Sequence, residues 1–124
     1  MNKNKNKSGF TLIEVLIGLV LLAIGLLAIA GMQITSVRGN FFSKNLSQAA
    51  VVGQDRLEEL RNRPYGHAEL IVGNHNDGPI PGTIFTRDYN VSVVPNTTML
   101  SIVVNVRWRD SMDHNISFTT VRSQ

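Results

Sequence analysis

The first third of the chain contains one long apolar stretch. Residues 1–9 are polar and basic, whereas residues 15–32 are 18 consecutive positions that carry an apolar side chain or glycine. A membrane-spanning helix needs roughly 20 mostly apolar residues, with a lower limit of about 17. With its flanking apolar positions included, the stretch predicts a single transmembrane helix over residues 10–37, in which Glu14 is the one charged residue.

Residues 38–64 have a different, amphipathic pattern. Apolar or small side chains recur at alternating spacings of three and four residues, which places them on one face of a helix. We expect this face to pack against the rest of the protein, and Pro64 to end the helix. The residues on it are Leu46, Ala50, Gly53, Leu57 and Leu60.

Glycines interrupt the predicted helix at intervals. Gly18, Gly25, Gly31 and Gly39 each lower helix stability by about 1 kcal/mol relative to alanine. Small residues also allow helices to approach closely in lipid. The sequence leaves open whether these positions serve close packing or local melting of the helix near Gly31.

The last half of the chain predicts a loop followed by a sheet. Residues 65–82 contain four glycines and two prolines, which indicates a loop with a short structured piece near Ala68 to Val72. Residues 83–124 alternate between apolar and polar positions, most regularly from Leu100 to Arg109, with Trp108 on the apolar face. We predict an α+β fold, in which the long helix packs on a small antiparallel sheet of about three strands.

The charge distribution argues against a nucleic-acid partner. The net charge is +3, and Lys3, Lys5 and Lys7 account for it, because the remaining nine basic side chains balance the nine acidic ones. A basic N-terminus before an apolar helix predicts a cytoplasmic N-terminus and a C-terminal domain across the membrane. Arg107 and Arg109 lie on the polar face of the predicted sheet, but residues 65–124 carry four arginines and five acids. This balance favours a solvated face.

Side chains for catalysis or cofactor binding are not arranged in any known motif. The chain has no cysteine, which excludes disulfides, thiol nucleophiles and cysteine-bound metals. None of the three histidines has a partner at metal-ligand spacing. The sequence contains no nucleophile elbow, P-loop or paired-carboxylate motif. We therefore expect no metal or other cofactor and no enzymatic activity.

The apolar segment has three simple interpretations. It fits a secretory signal peptide cut after Ala28-Ile29-Ala30, a passive membrane anchor, or a buried core helix. A charge inside an apolar membrane segment costs roughly 2.5–3.5 kcal/mol at the bilayer centre, and less near an end. A chain of 124 residues could hardly wrap a buried helix of this length. Since neither a cleaved signal nor a passive anchor gives Glu14 a purpose, this residue indicates a more specific function.

The residues around Glu14 resemble a known signature. Lys7 to Leu16 reads KSGFTLIEVL, which is similar to the prepilin signature of type IV pilins and type II secretion pseudopilins. The resemblance implies that residues 1–9 are a leader, that prepilin peptidase cuts between Gly9 and Phe10, and that the new amine of Phe10 is methylated. We expect Glu14 to pair with that amine on a neighbouring subunit and to fix the register of assembly, because a buried charge is tolerated only when it is paired.

The rest of the chain resembles the PilV-type minor pilins, also called type IV pilus modification proteins. The similar segments are residues 55–61, Pro64-Tyr65, residues 104–110 and residues 116–120. The resemblance implies an inner-membrane protein with a periplasmic domain that primes assembly or caps the pilus. Its partners would be prepilin peptidase, the major pilin, other minor pilins, the inner-membrane assembly platform and membrane lipid. The alternatives are an I-class pseudopilin of a type II secretion system and a small secreted binding domain that begins at Gly31.

Overall fold

The computed structural model describes residues 9–123, so Lys3, Lys5 and Lys7 lie outside the described part of the chain. The described residues divide into two compact units, of which the first ends at Phe42 and the second begins at Ser43. The elements in chain order are helix α1 (Leu12–Asn62), a short 3-10 helix (Ala68–Leu70), β1 (Gly73–Pro79), β2 (Phe85–Val93), β3 (Leu100–Arg109) and β4 (Asp113–Arg122).

The first unit consists of the apolar part of α1. One 18-residue window of the helix has a mean hydropathy of 2.9 and none of its residues is buried. By length and composition α1 can therefore cross a membrane. The helix is uninterrupted at Gly31, whose carbonyl accepts a hydrogen bond of 3.2 Å from the Thr35 hydroxyl.

The second unit combines the end of α1 with an antiparallel sheet of four strands in the order β1-β2-β3-β4. The predicted α+β class, with a long helix and an antiparallel sheet, is confirmed. The predicted number of about three strands is wrong, because a fourth strand, β1, lies inside the segment 65–82 that we expected to be a loop.

β1 is not predictable from the residue pattern because its residues carry no strand signal. Its sequence is GNHNDGP, with no aliphatic or β-branched side chain and with no position fully buried. Pairing with β2 forms the strand, since Gly73 lies opposite Val91 and His75 opposite Tyr89. The piece expected near Ala68 is the 3-10 helix Ala68–Leu70, which immediately precedes β1.

The core lies between the last turns of α1 and one face of the sheet. The inward side chains of β3 are all buried: Leu100, Ile102, Val104, Val106 and Trp108. Leu60 packs in one cluster with Tyr89, and Ala49 packs in a second cluster with Trp108. Every second side chain of β3 therefore points toward α1, as expected for a sheet that is covered on one side.

Candidate assembly site

The N-terminal segment leads into a capped helix. Thr11 precedes the first helical residue, Leu12, and its hydroxyl oxygen accepts a hydrogen bond of 3.3 Å from the backbone N–H of Glu14. The Thr11 carbonyl also accepts bonds from the N–H groups of Glu14 (3.1 Å) and Val15 (3.2 Å). Threonine three residues before glutamate is the sequence of a capping box, in which the threonine satisfies a free N–H of the first turn.

Glu14 sits in the first turn of α1, where a negative charge is favoured by the helix dipole. It makes no ion pair with any residue in the range 9–123. Its apolar neighbours are also open, with Phe10 83% and Leu12 80% exposed. The carboxylate and the apolar residues around it are therefore accessible to another molecule.

Gly9 and Phe10 are exposed and lie in irregular backbone ahead of the helix. Proteases prefer exposed segments that lack regular secondary structure. The bond between the two residues is thus accessible in a way that a bond inside the helix would not be. A free amine at Phe10 would stand four residues before the carboxylate of Glu14 in sequence.

The residues of the predicted packing face of α1 differ in how deeply they are buried. Leu60 is fully buried and Trp108 is 4% exposed, while Leu57 is partly buried against the first core cluster. Ala50 is half-buried and Leu46 is 37% exposed. The buried residues of the helix lie along a line next to the predicted face. They are Ala49, Gly53, Arg56 and Leu60.

Arg56 is the residue on this line that pattern analysis missed. It is 8% exposed and donates to three carboxylates, at 2.7 Å to Glu59, at 3.0 Å to Glu69, and twice to Asp77 at 2.9 and 3.0 Å. Its guanidinium carbon also lies 5.2 Å from the centre of the Tyr89 ring. A buried charge with this many partners connects α1 to the 3-10 helix and to β1.

Two further arginines complete the network around Arg56. Arg87 of β2 donates to Asp77 at 2.7 Å and to the Val52 carbonyl of α1 at 3.2 Å. Arg63 pairs with Glu59 at 2.7 Å and with Glu69 at 2.8 Å. Three positive and three negative side chains therefore balance, and Asp77 connects strand β1 to α1 and adds to its pairing with β2.

The pKa values of the network follow from these contacts. Burial alone would lower the pKa of Arg56, but the hydrogen bonds to Glu59, Asp77 and Glu69 outweigh it and raise that pKa above its usual value. The hydrogen bond from Arg56 lowers the pKa of Glu69. Burial raises the pKa of the Tyr89 hydroxyl. Both shifts favour the charged forms of Arg56 and Glu69.

One signal in the sequence indicates Arg56. Positions 49, 53, 56 and 60 have spacings of four, three and four, so they form a single helix face in which Arg56 is the only charged residue. An arginine on an otherwise apolar or small-residue face needs acidic partners. Glu69 and Asp77 in the following segment supply them, but their distance from Arg56 depends on how that segment folds back.

The histidines and the polar sheet face make local contacts. His75 stacks on Tyr89 with ring centres 4.6 Å apart, and His114 bonds to Asp110 at 2.9 Å. Among the described residues, no group of three or more side chains is placed to hold a metal ion. Arg107 pairs with Asp88 at 2.6 Å and Arg109 with Asp113 at 2.9 Å.

Comparison with known families gives one match. Residues 4–30 match the family model described as the prokaryotic N-terminal methylation motif. No curated protein and no solved structure matches the chain significantly. The matched region includes Gly9, Phe10 and Glu14 and the first part of the apolar helix, and it does not extend into the sheet unit. The N-terminal segment therefore carries the methylation motif of prokaryotic prepilin-type proteins, a motif that points to a structural protein.

Proposed function

We propose that this protein is a minor pilin of a type IV pilus, held in the inner membrane after processing and then incorporated into the filament. The observation that carries the proposal is the methylation motif joined to an exposed apolar helix. Residues 10–37 would span the membrane, with the leader in the cytoplasm and the sheet unit in the periplasm. The small sheet and the absence of cysteine would suit a minor subunit of the PilV type, which would prime or cap the fibre.

Processing is the first part of the proposal. Prepilin peptidase would cut between Gly9 and Phe10, and the new amine would be methylated, while the apolar helix remains attached. The exposed, irregular backbone at these residues supports this cut site. Mass analysis of the mature protein tests it. We expect a chain that begins at N-methyl-Phe10, whereas a chain that begins at Gly31 would identify a conventional signal peptide and refute the proposal.

Glu14 would act as the residue that sets register during assembly. A free amine at Phe10 would lie close to the positive end of the α1 dipole, which disfavours a second positive charge. A carboxylate from a neighbouring subunit would compensate that charge when the helices leave water and pack together. The Phe10 amine and the Glu14 carboxylate would each be costly to bury alone.

The Glu14→Gln variant separates this role from helix capping. Glutamine at this position preserves the Thr-x-x-Glu/Gln capping pattern but removes the charge. We expect normal cleavage, normal methylation and an unchanged far-ultraviolet circular dichroism spectrum, together with loss of the variant from purified fibres. Normal incorporation of Glu14→Gln would exclude charge pairing as the basis of register.

The I-class pseudopilin of a type II secretion system remains the alternative, because the N-terminal motif is common to both systems. Deletion of the gene distinguishes them. A minor pilin that primes assembly predicts a sharp loss of surface pili with protein secretion intact. Loss of secretion with normal piliation would assign the chain to the secretion system.

A further inference from the structure

Two phenylalanines and two basic residues follow the apolar segment of α1 directly. Phe41 is 63% and Phe42 is 41% exposed, and Arg38 and Lys44 stand on either side of them in the sequence. The exposed apolar surface of the helix therefore continues beyond its uncharged part into segment 38–44. Large apolar side chains beside basic ones are typical of helix segments that bind the surface of a membrane.

The positive charge of this segment is not neutralised by nearby acids. The sequence contains no acidic residue from position 15 to position 54, and Arg38 and Lys44 are the only charges in that range. Within residues 9–123, neither of them forms an ion pair. The segment therefore offers two cations to an anionic partner.

The length of α1 indicates where this segment lies relative to a membrane. The uncharged helical residues 15–37 are bounded by Glu14 and Arg38, which are 24 residues apart and therefore separated by about 36 Å along the helix. The hydrocarbon core of a bilayer is about 30 Å thick. If α1 crosses the bilayer with both charges outside hydrocarbon, each charge lies about 3 Å beyond the core.

This depth places the aromatic rings in the headgroup layer. The layer is about 5–7 Å thick on each side of the core. Phe41 is three residues beyond Arg38, which adds about 4.5 Å, but long side chains of a helix lean back toward its N-terminus. The rings of Phe41 and Phe42 therefore reach the headgroup layer, and Lys44 lies at its outer border.

We propose that segment 38–44 binds anionic phospholipid headgroups at the outer surface of the membrane, with Arg38 and Lys44 on the phosphates and the two rings between the lipids. The proposal rests on the proposed function, because it needs α1 to cross the membrane. A second copy of the chain at the same depth would bring two positive segments together, whereas phosphate groups complement them. The headgroups would fix the depth at which α1 is held.

Fluorescence quenching in vesicles tests this depth, since the natural chain has no cysteine. The full chain, with one cysteine that carries an environment-sensitive fluorophore, is reconstituted into phosphatidylcholine vesicles that contain one quarter phosphatidylglycerol. With Asn40→Cys we expect strong quenching by lipids that are spin-labelled near the headgroup. With Ile24→Cys we expect quenching by lipids that are labelled near the end of the acyl chain. Val51→Cys, an exposed control in the second unit, should be quenched little by either.

Lipid selectivity tests the charges. At equal amounts of the two spin-labelled lipids, phosphatidylglycerol should quench the fluorophore at residue 40 more strongly than phosphatidylcholine, by up to about fivefold. Arg38→Gln should reduce this ratio. Arg61→Gln makes the same charge change at an exposed position near the end of α1, and it should leave the ratio unchanged.

A second pair of variants tests the rings. Phe41→Ser should lower the quenching at residue 40 by both headgroup-proximal lipids, because the apolar contact with lipid is lost. Val51→Ser replaces another exposed apolar residue of α1 and should have no effect. An unshifted unfolding midpoint, followed by Trp108 fluorescence, would show that the variants are folded.

Three results would overturn the proposal. Equal quenching at residue 40 by the two lipids, or a ratio that survives Arg38→Gln, would show that no anionic headgroup is bound there. If residue 40 escapes quenching while residue 24 is quenched in the acyl region, α1 spans the membrane but segment 38–44 lies in water or against another protein copy. If residue 24 is not quenched either, α1 does not span the membrane and the proposed function fails as well.

Discussion

At Gly53, α1 packs directly against the Phe118 ring of β4, and replacement of this glycine by alanine tests the packing of the second unit. A Cβ atom at this position would lie 2.5 and 2.6 Å from two ring carbons of Phe118 and 3.2 Å from a methyl group of Val106. Contacts below 3.0 Å are not tolerated, so the Phe118 ring or the helix must move. The absence of a side chain at Gly53 thus makes room for the Phe118 ring against α1.

The expected size of the effect comes from two opposing contributions. Replacing glycine by alanine inside a helix favours folding by about 1 kcal/mol. Overpacking a well-fitted core costs typically 1–3 kcal/mol. Because Phe118 is only partly buried and its ring can shift in part, we expect a net destabilisation of about 1 kcal/mol. For a domain of this size, that corresponds to a decrease in Tm of about 4–8 °C.

The assay uses the single tryptophan of the chain, Trp108, which is buried in the core of the second unit. Its fluorescence reports thermal or urea unfolding of the full chain in detergent micelles. Gly39→Ala is the matched control, because Gly39 is also helical but has nothing within 4 Å of an added Cβ. We expect the control to leave the Trp108 transition unchanged or to raise its midpoint.

A double-mutant cycle completes the experiment. Phe118→Leu removes the ring that the new methyl group would meet, so the cost of Gly53→Ala should decrease in that background. Contacting residues couple, whereas independent sites add within about 0.3–0.5 kcal/mol. If Gly53→Ala is as stable as the natural chain, or if the two changes are additive, the close contact does not limit stability and the argument is refuted.

Two further predictions concern charged groups of the second unit. Arg122 of β4 donates to the carbonyls of Leu60 and Arg63 at the C-terminal end of α1. Arg122→Ala should therefore destabilise the unit by about 1 kcal/mol through loss of a helix-end bond. The control is Arg109→Ala at an exposed position, and equal unfolding midpoints for the two variants would refute this role. The pKa of Glu69 is lowered in the folded state, chiefly by its bond from Arg56, so its contribution is complete above the unfolded pKa near 4.5 and is lost as the pH falls through the folded value. We therefore expect Trp108-monitored stability to decline below about pH 4.5 and Glu69→Gln to show a smaller decline; identical pH profiles would contradict this assignment.

Strong periodicity made much of the architecture predictable. The apolar stretch of α1 and the alternation of β3 each repeat over many residues, and both elements are found where the pattern indicated them. The packing face of α1 was predicted less accurately. Leu46 and Leu57 attracted the prediction because they are apolar, but the sheet covers the line through Ala49 and Arg56 more completely. Small and charged residues therefore define this contact, and hydrophobicity alone does not identify them.

β1 and the Arg56 network could not be predicted for a common reason. Each depends on the other, because Asp77 lies in a strand without apolar anchors and Arg56 lies on a buried face without local partners other than Glu59. The strand signal and the charge pairing appear only when the segment after the 3-10 helix folds back beside β2. No window of neighbouring residues contains both halves of the interaction, so local pattern analysis assigns the segment to a loop.

The opposite edges of the sheet are consequently stabilised by different forces. β1 contributes no fully buried side chain and is held by backbone bonds to β2 and by Asp77, which accepts hydrogen bonds from Arg56 and Arg87. β4 is held by backbone bonds to β3 and by the ring of Phe118 against Gly53. Removal of the Asp77 carboxylate should therefore loosen β1 first, whereas overpacking at Gly53 should loosen β4 first.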